Sequence, residues 1–211
     1  KTIFKGIIML LAAMVMTGCD SFLDITPTGK VIAKTGKEYR ALLTYEYKNF
    51  PEDRGLATLR GDEITLDKTT TKAEDYDSYF DIWAWNDLSQ QSTTVSFGWR
   101  RYYHAIYIAN YIIENKDKIT EATADEINQL VGEAYMMRAY CHFLLVNLFA
   151  EPYTHCNAAT TRGVPLSLKA DVNAVLSCSS VEQVYQQVVD DVAKAKKHLT
   201  VEQWEEGYTY R

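Results

Sequence analysis

The stretch TADEINQLVGEAYMMRAYCHFLLVNLF, residues 123–149, decides the fold. Thr123 with Glu126 three residues on forms a capping box, in which each side chain accepts from a backbone N–H that a helix start leaves unpaired. Beyond the cap, Ile127, Leu130, Ala134, Met137, Cys141, Leu144 and Leu148 recur at steps of three and four, the spacing of one helix face. A second row beside it holds Val131, Tyr135, Arg138, His142, Leu145 and Phe149. A helix apolar over so much of its girth has to be covered on several sides. The spacing therefore predicts an all-α packing with this helix at its centre and the flanking segments as its partners.

Working outward, Thr35 with Glu38 caps a second helix whose face is Tyr39, Leu42, Leu43 and Tyr47, with Pro51 as its stop. Between residues 51 and 81 the periodicity is lost. Gly55, Gly61 and the run Thr69-Thr70-Thr71 read there as a long loop region. Residues 95–113 are helical again, with Trp99, Tyr102 or Tyr103, Ile106, Ala109 or Asn110, and Ile113 in step, and Trp99 is expected in the core. After a turn at 115–122 the central helix follows, giving a hairpin of the tetratricopeptide kind, a unit that needs a stacked neighbour to bury its faces. Residues 150–177 read as a loop with Pro152, Gly163 and Pro165. Ser180 with Gln183 caps the last helix, whose face is Val181, Val184, Val188, Val192, Ala195 and Leu199. With no further repeat behind it, Val184 and Val188 are expected to lie uncovered.

A chain of 211 residues is long enough for one sizeable core, and 47% hydrophobic with 24% charged residues is ordinary for a globular domain. The net charge of −6 argues against nucleic acid, because phosphate binding needs a basic face. The 15 tyrosines stand out beside 7 Phe and 4 Trp. A tyrosine has an apolar ring and a polar tip, which suits half-buried helix contacts and wet binding surfaces alike.

At the front, Lys1 and Lys5 precede an apolar run over 6–16 and then Thr17-Gly18-Cys19, the layout of a secretory signal. The run is too short to span a bilayer, which takes roughly 20 residues. Met16-Thr17-Gly18-Cys19 resembles a bacterial lipobox, which implies cleavage before Cys19 and a lipid anchor on its thiol. The expected organisation is a lipoprotein signal peptide over 1–18, the lipidated Cys19 with an extended tether to residue 34, and a helical domain over 35–211.

Several separate pieces carry one family resemblance. Arg138-Ala139-Tyr140 and Phe143-Leu144-Leu145 are followed after a loop by Gly163-Val164-Pro165-Leu166. Upstream stand Tyr103-His104-Ala105-Ile106-Tyr107-Ile108-Ala109-Asn110 and, behind Cys19, Phe22-Leu23-Asp24 with Pro27. In this order they resemble the SusD/RagB family of nutrient-binding lipoproteins on the surface of Bacteroidetes-type bacteria. The resemblance implies an α-α superhelix of tetratricopeptide-like hairpins with long loops. Family members are much longer, so it also implies that this chain is their front portion, incomplete at its C-terminus. The implied role is non-enzymatic capture of an oligosaccharide, or in some members a peptide, for a SusC-like TonB-dependent transporter in the outer membrane. No cofactor is implied. The rival reading is a helical-repeat scaffold that binds a protein and no nutrient.

No catalytic constellation stands out. Asp62, Glu63 and Asp67 lie close together but lack a partner base, and read as a solvated loop. His104, His142, His155 and His198 show no metal-ligand spacing. Cys141 falls on the apolar stripe as a small core residue, while Cys156 and Cys178 flank one loop and are candidates for a disulfide. Arg138 lies on an apolar row, where a charge needs a carboxylate from a neighbouring helix. The candidate ligand site is the aromatic cluster Tyr76, Tyr79, Trp83 and Trp85, with Asn86 and the nearby Asp75, Asp77 and Asp87 as polar neighbours. Exposed rings of this kind stack on the apolar faces of sugars; the competing reading is that they pack over the helices.

Overall fold

The computed structural model describes residues 33–199 apart from Glu52 and Ser96. The signal peptide, Cys19, the tether as far as residue 32 and the segment beyond Leu199 lie outside the described residues. In chain order the helices are α1 (Gly36–Lys48), α2 (Asp53–Thr58), α3 (Ala73–Trp83), α4 (Arg100–Asn115), α5 (Ala124–Phe149) and α6 (Val181–His198). Two short strands, β1 (Arg162–Pro165) and β2 (Cys178–Ser180), lie between α5 and α6.

Three helices begin where capping boxes were legible. Thr35, Thr123 and Ser180 each accept from the backbone N–H three residues on, and Glu38, Glu126 and Gln183 each accept in return from the cap backbone. Helix α5 is the hub, packed against α1, α4 and α6. Both of its predicted rows face neighbours: Leu130, Ala134, Met137, Cys141 and Leu144 are buried on one, Val131, Arg138, His142 and Leu145 on the other. Tyr39 and Leu43 from α1, Tyr102, Ile106 and Ile112 from α4, and Val181, Val184 and Ala195 from α6 complete the core. Gly132 allows the end of α6 to close onto α5, since a Cβ there would lie 2.6 Å from Leu199 and 3.1 Å from His198. Burial pushes the Cys141 thiol well above its usual range, as suits a packed and unreactive sulfur.

The core carries one charged cluster. Arg138 donates from Nε and one terminal nitrogen to the two Asp191 carboxylate oxygens, at 2.7 and 2.6 Å, and from the other nitrogen to Asn110 Oδ1 at 2.7 Å. Asn110 then donates to the carbonyls of Ser167 and Lys169, at 3.0 and 3.1 Å. The expected carboxylate partner is thus Asp191 on α6, and the same knot ties in α4 and the segment behind β1. Beside it, His142 Nε2 accepts from the Ser167 N–H at 3.4 Å. Burial and the neighbouring Arg138 charge push the His142 pKa down to about 4.

Several expectations need correction. The region 51–81 is not one loop: α2 and most of α3 lie in it. Tyr76, Phe80 and Trp83 fall four and three residues apart and stack along one side of α3, with centroids 5.1 and 5.9 Å apart. Helix α4 starts at Arg100 and not at 95. Trp99 stands at its N-cap position, 38% exposed against Tyr103 and Phe149 rather than in the core. The segment 150–177 contains β1, which pairs antiparallel with β2 in the register Arg162↔Ser180 and Pro165↔Cys178. On α6, Val184 is fully buried and Val188 half-buried, whereas Val189 and Val192 are the exposed valines. The need to aim Asp191 at Arg138 turns Val192 outward.

Two stability measurements test this core. Arg138→Ala leaves the Asp191 carboxylate buried without its partner, and should lower unfolding stability by about 3–5 kcal/mol in a denaturant titration. The apolar double variant Arg138→Met with Asp191→Leu should recover most of that loss. Because the folded pKa of His142 lies below its ordinary value of 6.5, the unfolded chain takes up this proton first on acidification. Its contribution is fully present above pH 6.5 and falls as pH drops to 4, by about 3 kcal/mol in all. His142→Phe should flatten that part of the stability–pH curve.

Candidate functional site

The aromatic cluster sits on α3 and on the loop that leaves it. Ala84 ends the helix, its N–H returning to the Phe80 carbonyl at 2.8 Å, and Trp85 follows with φ of 56°. This is the left-handed region, which a bulky non-glycine residue enters only when its surroundings hold it there. What holds it is Asp81, buried at the end of α3. Its carboxylate accepts from Asn86 Nδ2 at 2.9 Å, from the Gln91 N–H at 2.7 Å and from Thr94 Oγ1 at 2.6 Å. These bonds favour the charged form and hold the Asp81 carboxyl below the usual carboxylate range. The loop is therefore clamped at both its start and its far side by one side chain.

The five predicted site residues separate into different roles. Trp85 is the one presented to solvent, at 63% exposure. The Arg60 guanidinium lies over its ring, 4.8 Å from the centroid, and pairs with Asp87. Tyr76 is half-buried in the stack with Phe80, with Lys68 Nζ 5.8 Å from its ring. Trp83 is half-buried, and its indole donates to the Ile64 carbonyl at 3.1 Å, which fastens the preceding loop to α3. Asn86 is taken up by Asp81 and by Ser89, whose hydroxyl donates to its Oδ1 at 2.9 Å. Tyr79 looks elsewhere, into an open cleft of about 770 Å³ between the end of α1, α2 and the start of α4. Asp75 and Asp77 are exposed on the first turns of α3.

The remaining candidates are structural or solvated. Asp62, Glu63 and Asp67 are exposed. His104 Nδ1 lies 3.0 Å from Glu46 Oε1, His198 Nδ1 3.1 Å from Asn128 Oδ1, and His155 Nδ1 3.0 Å from Thr154 Oγ1. Cys156 and Cys178 are both free thiols. Among the described residues no group of three or more His, Cys, Asp or Glu is placed to hold a metal ion. Sequence reasoning missed Asp81 and Arg60. Asp81 carried a faint signal, as a lone acid between Phe80 and Ile82; Arg60 carried none, because its partner Asp87 is 27 residues away.

Residues 22–211 match the SusD-like family model described as starch-binding associating with outer membrane, and the chain belongs to that family. Among its relatives is the SusD-like protein P38 of Formosa agariphila, 26% identical over 209 residues, which are 95% of this chain and 38% of the relative. A SusD superfamily protein from Bacteroides vulgatus superposes with a TM-score of 0.66 at 19% identity, over 84% of this chain and 40% of that one. A SusD-like carbohydrate binding protein from the same species gives 0.57 at 19% identity, over 82% and 38%. The chain thus spans well under half the length of these relatives.

The clamp yields a direct test. Asp81→Ala should free the amide of Gln91 to exchange much faster with deuterium and broaden the Trp85 fluorescence response. Amides in α5 should stay as protected as before, because Asp81 makes none of the core's bonds.

Proposed function

We propose that this chain is the front portion of a lipid-anchored surface protein that binds an oligosaccharide without chemical turnover and passes it to a SusC-like TonB-dependent transporter in the outer membrane. In this reading residues 1–18 are a removed leader, Cys19 carries the lipid anchor, and the helical domain presents the ligand face outward. The observation that carries the reading is Trp85, a large ring kept exposed in a strained backbone conformation by a buried carboxylate. Strain retained at an exposed aromatic is what a preorganised stacking platform requires. The family description and the carbohydrate-binding relative support a sugar as the ligand. No helix among the described residues is long and apolar enough to cross a membrane.

A protein-binding scaffold is the second reading. It is favoured by the exposed side chains Met136, Tyr140 and Phe143 on α5 and Val189 and Val192 on α6, an apolar set larger than a solvated helix pair needs.

The two readings part on one substitution. Trp85→Ala should weaken oligosaccharide binding about tenfold or more while leaving the melting temperature unchanged, since the ring contributes little to packing. Trp83→Ala should instead lower the melting temperature, through loss of its stack and of the bond to Ile64. Unchanged sugar affinity in the Trp85 variant would remove this platform from the site. A pull-down from detergent-solubilised outer membranes that recovers a large β-barrel transporter would support the delivery role.

A further inference from the structure

The cleft beside Tyr79 has a charged lining that the fold does not use. Lys48, Arg100 and Arg101 line it and are all exposed. A second hollow of about 320 Å³ continues past Asn49 and the same two arginines to His104. Among the described residues none of these three cations pairs with a carboxylate. Two acids among the described residues nearby are engaged: Asp53 Oδ2 accepts from the Gly98 N–H at 3.3 Å, and Glu46 faces His104. Arg100 and Arg101 also occupy the first turn of α4, where the helix dipole disfavours cations. A local conflict of this sort, in a chain of net charge −6, marks a place where some other demand outweighs folding.

The apolar part of the lining defines that demand further. Tyr79 and Phe50 line the same cleft as Arg100 and Arg101. A pyranose bearing a carboxylate or a sulfate presents the matching pair of features: an apolar ring face for an aromatic, and a planar or tetrahedral anion for the forked donors of arginine. We propose that this cleft binds acidic oligosaccharides, built of uronate or sulfated sugars, with Arg100 and Arg101 taking the anionic groups and Tyr79 the ring face. The proposal rests on the sugar-binding reading above and narrows its ligand class.

The test is a glycan array carrying neutral, uronate-containing and sulfated oligosaccharides, probed with the whole chain and followed by calorimetry on a galacturonic acid hexamer and a chondroitin sulfate hexamer. Acidic glycans should bind, and Arg100→Gln with Arg101→Gln should weaken the best of them about tenfold or more. Arg100→Lys with Arg101→Lys should restore only part, because an ammonium cannot form the forked pair. An unchanged melting temperature in both variants shows that the fold is kept. Binding confined to neutral glycans, or acidic binding untouched by the glutamine variants, overturns the proposal and leaves the sugar-binding reading standing. Equal binding of duplex DNA also overturns it, as simple charge trapping. No binding to any glycan on the array overturns both.

Discussion

Burying a guanidinium among helices is unfavourable by several kcal/mol unless its donors are met, and in this chain Arg138 meets them with groups from two other helices. Asp191 takes two nitrogens in a forked pair and Asn110 takes the third. Since the fork tolerates little sliding, α4, α5 and α6 are held in one register along their lengths. The bonds continue outward from Asn110 to the carbonyls of Ser167 and Lys169, so the segment following β1 is placed by the same knot. His142 lies one turn along α5 from Arg138, and burial beside that charge favours its neutral form, so it contributes to the acid sensitivity of the array. Gln187 adds a bond to Asp191 at 2.9 Å and leaves that carboxylate fully engaged.

The candidate ligand face is built on the opposite principle. Helix α3 contributes Asp81 and Ile82 to the buried set and otherwise lies at the edge of the array. Its loop is secured by bonds to single points: the Trp83 indole to Ile64, and the Asn86 and Thr94 side chains and the Gln91 N–H to Asp81. Binding groups on loops are effective when a rigid scaffold fixes them. The division seen here, with a deep ionic knot for the scaffold and a shallow carboxylate clamp for the loop, lets the loop vary without disturbing the core.

Much of this architecture was legible in residues 123–149 and in the three capping boxes, because helix faces and caps are local signals with a fixed period. The need for a partner to Arg138 was legible too, since a charge on an apolar row cannot be left alone. Which carboxylate answers it was not: Asp191 stands one residue from Val192, and the apolar pattern alone favoured turning Val192 inward. Helix α3 was hidden because its aromatics alternate with acids, so that its apolar face looked like scattered rings in a polar loop. The site was legible only as a cluster. That Tyr79 would enter a cleft with Arg100 and Arg101 depends on contacts across more than 20 residues of sequence, for which no periodicity exists.

Trp83 and Trp85 show how small the distinction is between packing and presentation. They are two residues apart and of the same type, yet one is fastened to Ile64 and the other is the more exposed by far. Trp83 is the last residue of α3, so its direction follows the helix and brings it beside Phe80. Trp85 comes after the helix has closed on Ala84, and its positive φ turns the chain away from that direction. Asp81 stabilises this turn through Asn86, one residue further on, whose own N–H returns to the Asp81 carbonyl at 2.8 Å. The identity of the exposed ring is thus decided by where the helix stops and by the carboxylate that keeps it stopped there, so a substitution at Asp81 reaches the candidate ligand face without touching it.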